Sequence, residues 1–259
     1  MTRHRDRNRQ TGHKDRSDTS GLVWLWGLHA VKAALKNPER KSRKLLVSQG
    51  VDPEILQLAG RTRVLVEQTD PTGISRALPR EAVHQGLALL SSPLEEHDVA
   101  SIVEDANSPC CLVLLDQVTD PHNFGAVIRS AAAFGASGII VQDRHSPPAS
   151  GVLAKAASGA LELVPIIRVV NIARSLEQLG ERGFLRLAFA DEAAEPIEKL
   201  DLRRDVVLVL GSEGDGLRRL TRESCDLSVR LPTSSAMPSL NVSNAAAVAL
   251  YAWSIAKKK

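Results

Sequence analysis

From residue 111 onward the chain repeats one pattern: a short, largely apolar run, then polar or glycine-rich residues. The runs are Cys111–Leu115, 138–141, 163–169, 185–190 and Val206–Leu210, with a weaker one at 227–231. A strand that is apolar at every position has no face to offer water, so it needs cover on both sides. Helical spacing lies between many of the runs, notably at 126–134 and 172–179, and an Ala-rich stretch at 245–255 forms the last helix. This alternation specifies a parallel α/β sheet with helices on both faces.

A shorter alternation precedes it. Residues 22–26, 44–48, 64–67 and 86–90 read as strands, and Ala30, Val31, Ala34 and Leu35 fall at helical spacing. Ile55, Leu56, Leu58 and Ala59 suit a second helix. Ser91-Ser92-Pro93 then breaks the pattern. The expected organisation is a basic tail at 1–20 with too little apolar surface to order itself, a small α/β domain at 21–92, a linker and first helix at 93–108, and a larger α/β domain at 109–259.

Composition narrows the function classes. Aromatic residues make up 3 % of the 259, too few for a broad base-stacking platform. No apolar run is long enough to span a bilayer, and no secretory core follows the basic start. A cytoplasmic protein with no membrane partner is expected. Cys110, Cys111 and Cys225 lack metal-ligand spacing and form an odd set, so a reducing compartment and buried thiols fit better than disulfides or zinc; the histidines suggest no metal site either. The net charge of +3 is uneven: residues 1–20 and Lys257–Lys259 each contribute +3, leaving −3 between them. The tail reads either as an arm that neutralises RNA phosphates or as a solvated extension.

Three corners concentrate small and polar residues where a strand gives way to the next element. The first, at 116–125, contains Asp120-Pro121, which favours a turn, and Asn123, suited to cap the following helix. Arg129 lies within that helix among alanines and aliphatics, so if buried it requires either an ion-pair partner, Asp116 or Glu213, or an anionic ligand. The second corner is Gly211-Ser212-Glu213-Gly214-Asp215-Gly216, whose glycines let a ligand approach the backbone. It has neither Walker nor dinucleotide spacing, and a simple turn explains it as well. The third runs from Leu231 to Asn241, where Ser239 and Asn241 either cap the last helix or serve a site. Such corners sit at the carboxyl ends of strands, where open α/β sheets bind ligands.

Together the three stretches NFGAVIRSAAAFG (123–135), LVLGSEGDG (208–216) and LPTSSAMPSLNVS (231–243) resemble, in order and spacing, the signature motifs of the SpoU/TrmH branch of the SPOUT RNA methyltransferases. Gly27-Leu28-His29-Ala30-Val31 and His84-Gln85-Gly86 look like features of members with an added RNA substrate-binding domain. The resemblance implies a parallel-sheet catalytic domain with a carboxyl-terminal trefoil knot, preceded by a small ribosomal-protein-like α/β domain. It further implies a homodimer that uses S-adenosylmethionine to methylate a ribose 2′-hydroxyl in RNA, most closely a guanosine of 23S ribosomal RNA or of an assembling ribosomal particle. Carried over residue by residue, it assigns Gly211, Leu231 and Leu240 to the cofactor and Asn123, Arg129, Glu213, Ser239 and Asn241 to the reacting side. The chain departs from the family pattern at Thr233, often a Met, and at Pro238, commonly polar. Rival readings are a transfer-RNA 2′-O-methyltransferase, a non-catalytic RNA-binding assembly factor, and a nucleotide-binding oxidoreductase; the last lacks the fingerprint spacing.

Overall fold

The computed structural model describes residues 21–106 and 108–258; the basic stretch at 1–20 and Lys259 lie outside them. Two sheets carry the fold. The first is built from β1 (Val23–Trp26), α1 (Leu28–Lys36), β2 (Ser42–Val47), α2 (Pro53–Thr62), β3 (Leu65–Gln68), α3 (Pro71–Ala77) and β4 (Leu87–Ser91). Its strand order is β1-β4-β2-β3, antiparallel except for the β2–β3 pair.

After α4 (Val99–Asp105) come β5 (Cys111–Leu115), α5 (Pro121–Phe134), β6 (Gly138–Gln142), α6 (Gly151–Ala156), β7 (Ile166–Val169), α7 (Ile172–Glu181), β8 (Leu185–Phe189), β9 (Glu195–Pro196), β10 (Val206–Leu210), α8 (Arg219–Glu223), β11 (Leu227–Arg230) and α9 (Val242–Ala256). The strands order as β7-β6-β5-β10-β8-β11-β9, and every pair is parallel.

The two central strands show why uninterrupted apolar runs were needed. Side chains alternate across a strand. Cys111, Val113 and Leu115 of β5, with Val206, Leu208 and Leu210 of β10, enter a core shared with α5 and α9. Leu112, Leu114, Val207 and Val209 enter a second core built on Ile172, Leu176 and Leu179 of α7. The run expected at 163–169 is shorter than its composition suggests. The strand starts at Ile166, after Pro165, and Leu163 is 74 % exposed. Proline has no N–H to give, and the pairing of β7 with β6 begins at Ile166.

The thiols are free, with Cys110 and Cys111 buried and Cys225 partly so. Burial pushes the Cys110 and Cys111 thiols up and Cys225 up to about 12, so they stay neutral near pH 7.

The first sheet's unit is seated firmly on the second. Arg40 Nε donates to Glu162 Oε2 at 3.0 Å and its Nη2 to Glu162 Oε1, and Arg40 Nη1 reaches the Ser92 carbonyl at 2.9 Å. Asn37 Nδ2 adds a bond to Glu162 at 2.8 Å. The Arg40 and Glu162 side chains are 2 % and 3 % exposed. Gly151 completes the fit: a Cβ there would stand 2.0 Å from the Trp26 ring and 2.2 Å from the Trp24 carbonyl. Removing one member of a buried ion pair strands the other charge. Glu162→Gln is therefore expected to cost about 3 kcal/mol of stability, read by urea denaturation, whereas the paired change R40M/E162L is expected to recover most of it. A wild-type midpoint for Glu162→Gln would show that the pair contributes nothing.

Candidate active site

Strand order reverses between β5 and β10. From β5 the chain moves outward through β6 and β7, then returns so that β10 lies on the other side of β5. Loops leaving adjacent strands at such a point diverge and leave a crevice at their carboxyl ends. The first two corners follow β5 and β10, and the third follows β11.

Local chemistry sets each corner. Asp120, not Asn123, caps α5: its carboxylate accepts from the His122 and Asn123 backbone N–H groups at 3.1 Å, and Pro121 takes the first helical position. The expected cap at Asn123 is corrected by this geometry, because Asp120 already satisfies the first-turn donors. The Asn123 side chain is thus free to turn outward. It donates from Nδ2 to Glu213 Oε1 at 2.8 Å. Asn241 does cap α9, its Oδ1 accepting from Ser243 N at 2.9 Å, while its Nδ2 donates to Asn123 Oδ1 at 3.1 Å and to Glu213 Oε1. One residue from each corner therefore meets at a single carboxylate.

Beside this cluster opens a cavity of about 560 Å³ lined by Gly211, Glu213, Leu231, Ser239, Leu240 and Asn241, among others. Gly211 is required at its base. A Cβ there would lie 2.2 Å from the Gly216 carbonyl carbon, where Ser212 and Gly216 exchange two backbone hydrogen bonds. Leu210, Leu217 and Val242 supply buried apolar wall. Asp191, Glu192, Glu213 and Asp215 face it with Arg222, which is tied to Glu192 at 2.8 Å. The lining is acidic on balance. Thr233 and Pro238, the two departures from the family pattern, bond to each other: the Thr233 hydroxyl donates to the Pro238 carbonyl at 2.8 Å and closes the loop before Ser239. A separate cavity of about 300 Å³ where the two sheet units meet shares none of the residues of the three corners.

Arg129 is not part of the cluster. It lies six residues beyond Asn123 on α5, about 9 Å along the helix axis, and its side chain is exposed. The alternative of an ion pair with Asp116 or Glu213 is corrected as well. Asp116, 0 % exposed, accepts from Arg218 Nε at 2.8 Å, Nη2 at 2.7 Å and the Arg218 backbone N at 3.2 Å. Glu213 is engaged by the two asparagines. Sequence reasoning missed Arg218. Its signal was an acid ending a wholly apolar strand and a cation two residues past the glycine turn of the neighbouring strand.

The Asp116–Arg218 bond clamps the second corner to the first. Truncating Arg218 leaves a buried carboxylate without its partner. Arg218→Ala is expected to lower stability by about 3 kcal/mol and Arg219→Ala, whose Glu223 partner sits at the surface, by well under half that. Equal midpoints for the two variants in chemical denaturation would remove the clamp from the account.

Comparison with known proteins identifies the family. The model of the SpoU rRNA methylase family matches residues 111–251, and that for RNA 2′-O ribose methyltransferase substrate binding matches residues 24–97. The chain is 38 % identical over 239 residues to the 23S rRNA (guanosine-2′-O-)-methyltransferase RlmB of Pseudomonas putida, covering 90 % of this chain and 96 % of that one. It is 37 % identical to the protein of the same name from Vibrio vulnificus, covering 88 % and 94 %. The fold matches the SpoU methyltransferase AviRb of Streptomyces viridochromogenes, solved in complex with AdoMet, with a TM-score of 0.81 at 21 % identity over 96 % of this chain and 95 % of that one. With a family model matched over more than half its length and relatives 38 % identical over most of it, this chain belongs to the SpoU rRNA methylase family.

Proposed function

We propose that this protein transfers a methyl group from S-adenosylmethionine to a ribose 2′-hydroxyl of RNA, at a guanosine of 23S ribosomal RNA. The observation that carries the reading is the meeting of Asn123, Glu213 and Asn241 at the mouth of the cavity, in a chain alike over most of its length to enzymes named for that reaction. The residues present fit the cofactor. Apolar wall suits an adenine, backbone edges around Gly211 suit hydrogen bonding without side-chain bulk, and an acidic lining suits a sulfonium cation. Gly211, Leu231 and Leu240 would hold it; when bound, it supplies a methyl already electrophilic at a positive sulfur.

The chain's own task is alignment and removal of one proton. Held near-attack geometry is worth roughly 7–11 kcal/mol in favourable cases. Asn123 and Asn241 fix the Glu213 carboxylate through Oε1, leaving Oε2 without a hydrogen bond among the described residues. Glu213 Oε2, or a phosphate of the RNA itself, takes the hydroxyl proton. Ser239 lines the same cavity. Arg129 is not the base, since a guanidinium stays protonated. It holds an RNA phosphate and stabilises the developing alkoxide.

The protein works as a homodimer in the reducing cytoplasm, which suits its free thiols. No described helix is long and apolar enough to cross a membrane. Val248, Tyr251 and Ile255 are exposed on α9 at intervals of three and four, and Tyr251 meets Phe134 of α5 edge to face. A second copy on this face brings α5, and Arg129 with it, to the subunit boundary. The carboxyl-terminal knot belongs to the same proposal, supported by α9 packing against α5 and β10 beside the 211–217 turn.

Mapping ribose methylation across total RNA with and without the protein is expected to show one guanosine of 23S ribosomal RNA lost; a lost transfer-RNA site, or none, would overturn the substrate. Arg129→Lys is expected to lose at least nine-tenths of turnover at saturating RNA while calorimetric cofactor affinity persists, and wild-type turnover would remove its role. Tyr251→Glu is expected to sediment as a monomer; an unchanged dimer would move the interface elsewhere.

A further inference from the structure

The chain's small net charge hides a division. Residues 21–92 carry ten Lys and Arg against six Asp and Glu, a net of +4, whereas residues 93–256 carry fourteen against twenty-one, a net of −7. In the first unit the cations gather where α1 ends, β2 begins and α2 ends. Lys36, Lys41, Arg43 and Arg61 line an open groove of about 910 Å³ there, with Asn37 and Thr62.

Structural needs account for little of this charge. Lys36 and Arg61 lie in the last turns of α1 and α2, where a cation complements the helix dipole. Arg43 is on a strand and Lys41 in a loop, so the dipole asks nothing of them. Lys36 Nζ lies 3.2 Å from Glu54 and Lys41 Nζ 3.8 Å from Glu95, both exposed pairs that water screens. Arg43 and Arg61 are exposed and have no carboxylate partner among the described residues. Several like charges in one concavity raise a positive potential that an anion relieves.

The catalytic cavity makes that anion's identity specific. Its mouth is acidic through Asp191, Glu192, Glu213 and Asp215, which suits a sulfonium and repels phosphates. An RNA substrate that brings phosphates to this mouth therefore gains from a cationic grip elsewhere. We propose that the groove formed by Lys36, Lys41, Arg43 and Arg61 is a docking site for an RNA phosphate backbone; this rests on the reading above that the chain acts on RNA. Its lining has no aromatic residue on which a base can stack, so it grips the backbone and leaves base identity to other contacts. Arg40 lines the same groove while its guanidinium is spent on Glu162 of the second unit. The grip and the methyl-transfer site are thus held at a fixed separation, and RNA seated in the groove presents a nucleotide at a set distance along its path.

The test is the double variant R43Q/R61Q, full chain, with unmodified 23S ribosomal RNA transcript as probe. Binding is followed from about 50 to 200 mM salt, with methylation kinetics, calorimetric cofactor binding and thermal melting alongside. Expected are about tenfold weaker RNA binding at 100 mM salt, a log–log salt slope shallower by about 1.4–1.8 for two lost phosphate contacts, and a raised KM for RNA. Unchanged kcat, cofactor affinity and melting are expected, with R43K/R61K restoring the slope. A wild-type slope in R43Q/R61Q would overturn the groove. Should the wild type bind RNA and methylate none, the catalytic reading falls while the slope still decides the groove.

Discussion

The parallel pairing of β10 with β5 is the contact on which the rest of the molecule turns. Five residues of each strand align, Val206 with Cys111 through Leu210 with Leu115. The Asp116 amide extends the ladder by donating to the Leu210 carbonyl at 2.9 Å. Both strands are wholly buried, so neither can slip without moving an entire set of side chains from one core to the other. That fixed register delivers two loops, from distant parts of the chain, to one edge of the sheet. Helix α9 packs against α5 and β10, and brings Asn241 to the same edge.

Electrostatics follow from this arrangement. A carboxylate in the open would rotate freely, but Glu213 is held by amides from two other corners. Those amides are themselves fixed because backbone caps position the residues that carry them. Asp120 relieves Asn123 of capping duty, and Asn241 caps with its oxygen while donating from its nitrogen. The cluster is assembled from ordinary helix-end chemistry, and its precision depends on α5 and α9 meeting closely. Small residues allow that approach: Ala246 and Ala249 of α9 are fully buried. Gly125 does the same for α5 against α6, where a Cβ would stand 2.5 Å from Ala156.

Much of this was legible in the residues. Apolar runs located the central strands because a strand buried on both faces leaves an unambiguous trace, and the three polar corners followed from where those runs end. Short helices such as α3 and α6 left too few residues for a period to emerge, and Pro165 truncated β7 inside an apolar run. The cap of α5 was misassigned because Asp120 and Asn123 are both good caps and only the backbone chooses between them. Arg218 and the Arg40–Glu162 pair were out of reach for another reason. Their partners lie 102 and 122 residues away, and periodicity carries no information about such pairings. Arg129 stands out in so small and apolar a helix, yet its exposure depends on which face of α5 the neighbouring elements cover.

The seat beneath the first unit also constrains how this architecture can be rearranged. A chimera that cut between β4 and α4 would respect both sheets and still divide Asn37 and Arg40 from Glu162. Unless the graft carries an acid at the position of Glu162 and a glycine at that of Gly151, it would entomb a lone guanidinium and press a methyl group into Trp26. The portable module is therefore not the first sheet alone, but that sheet together with the α6 segment and Glu162 on which it rests.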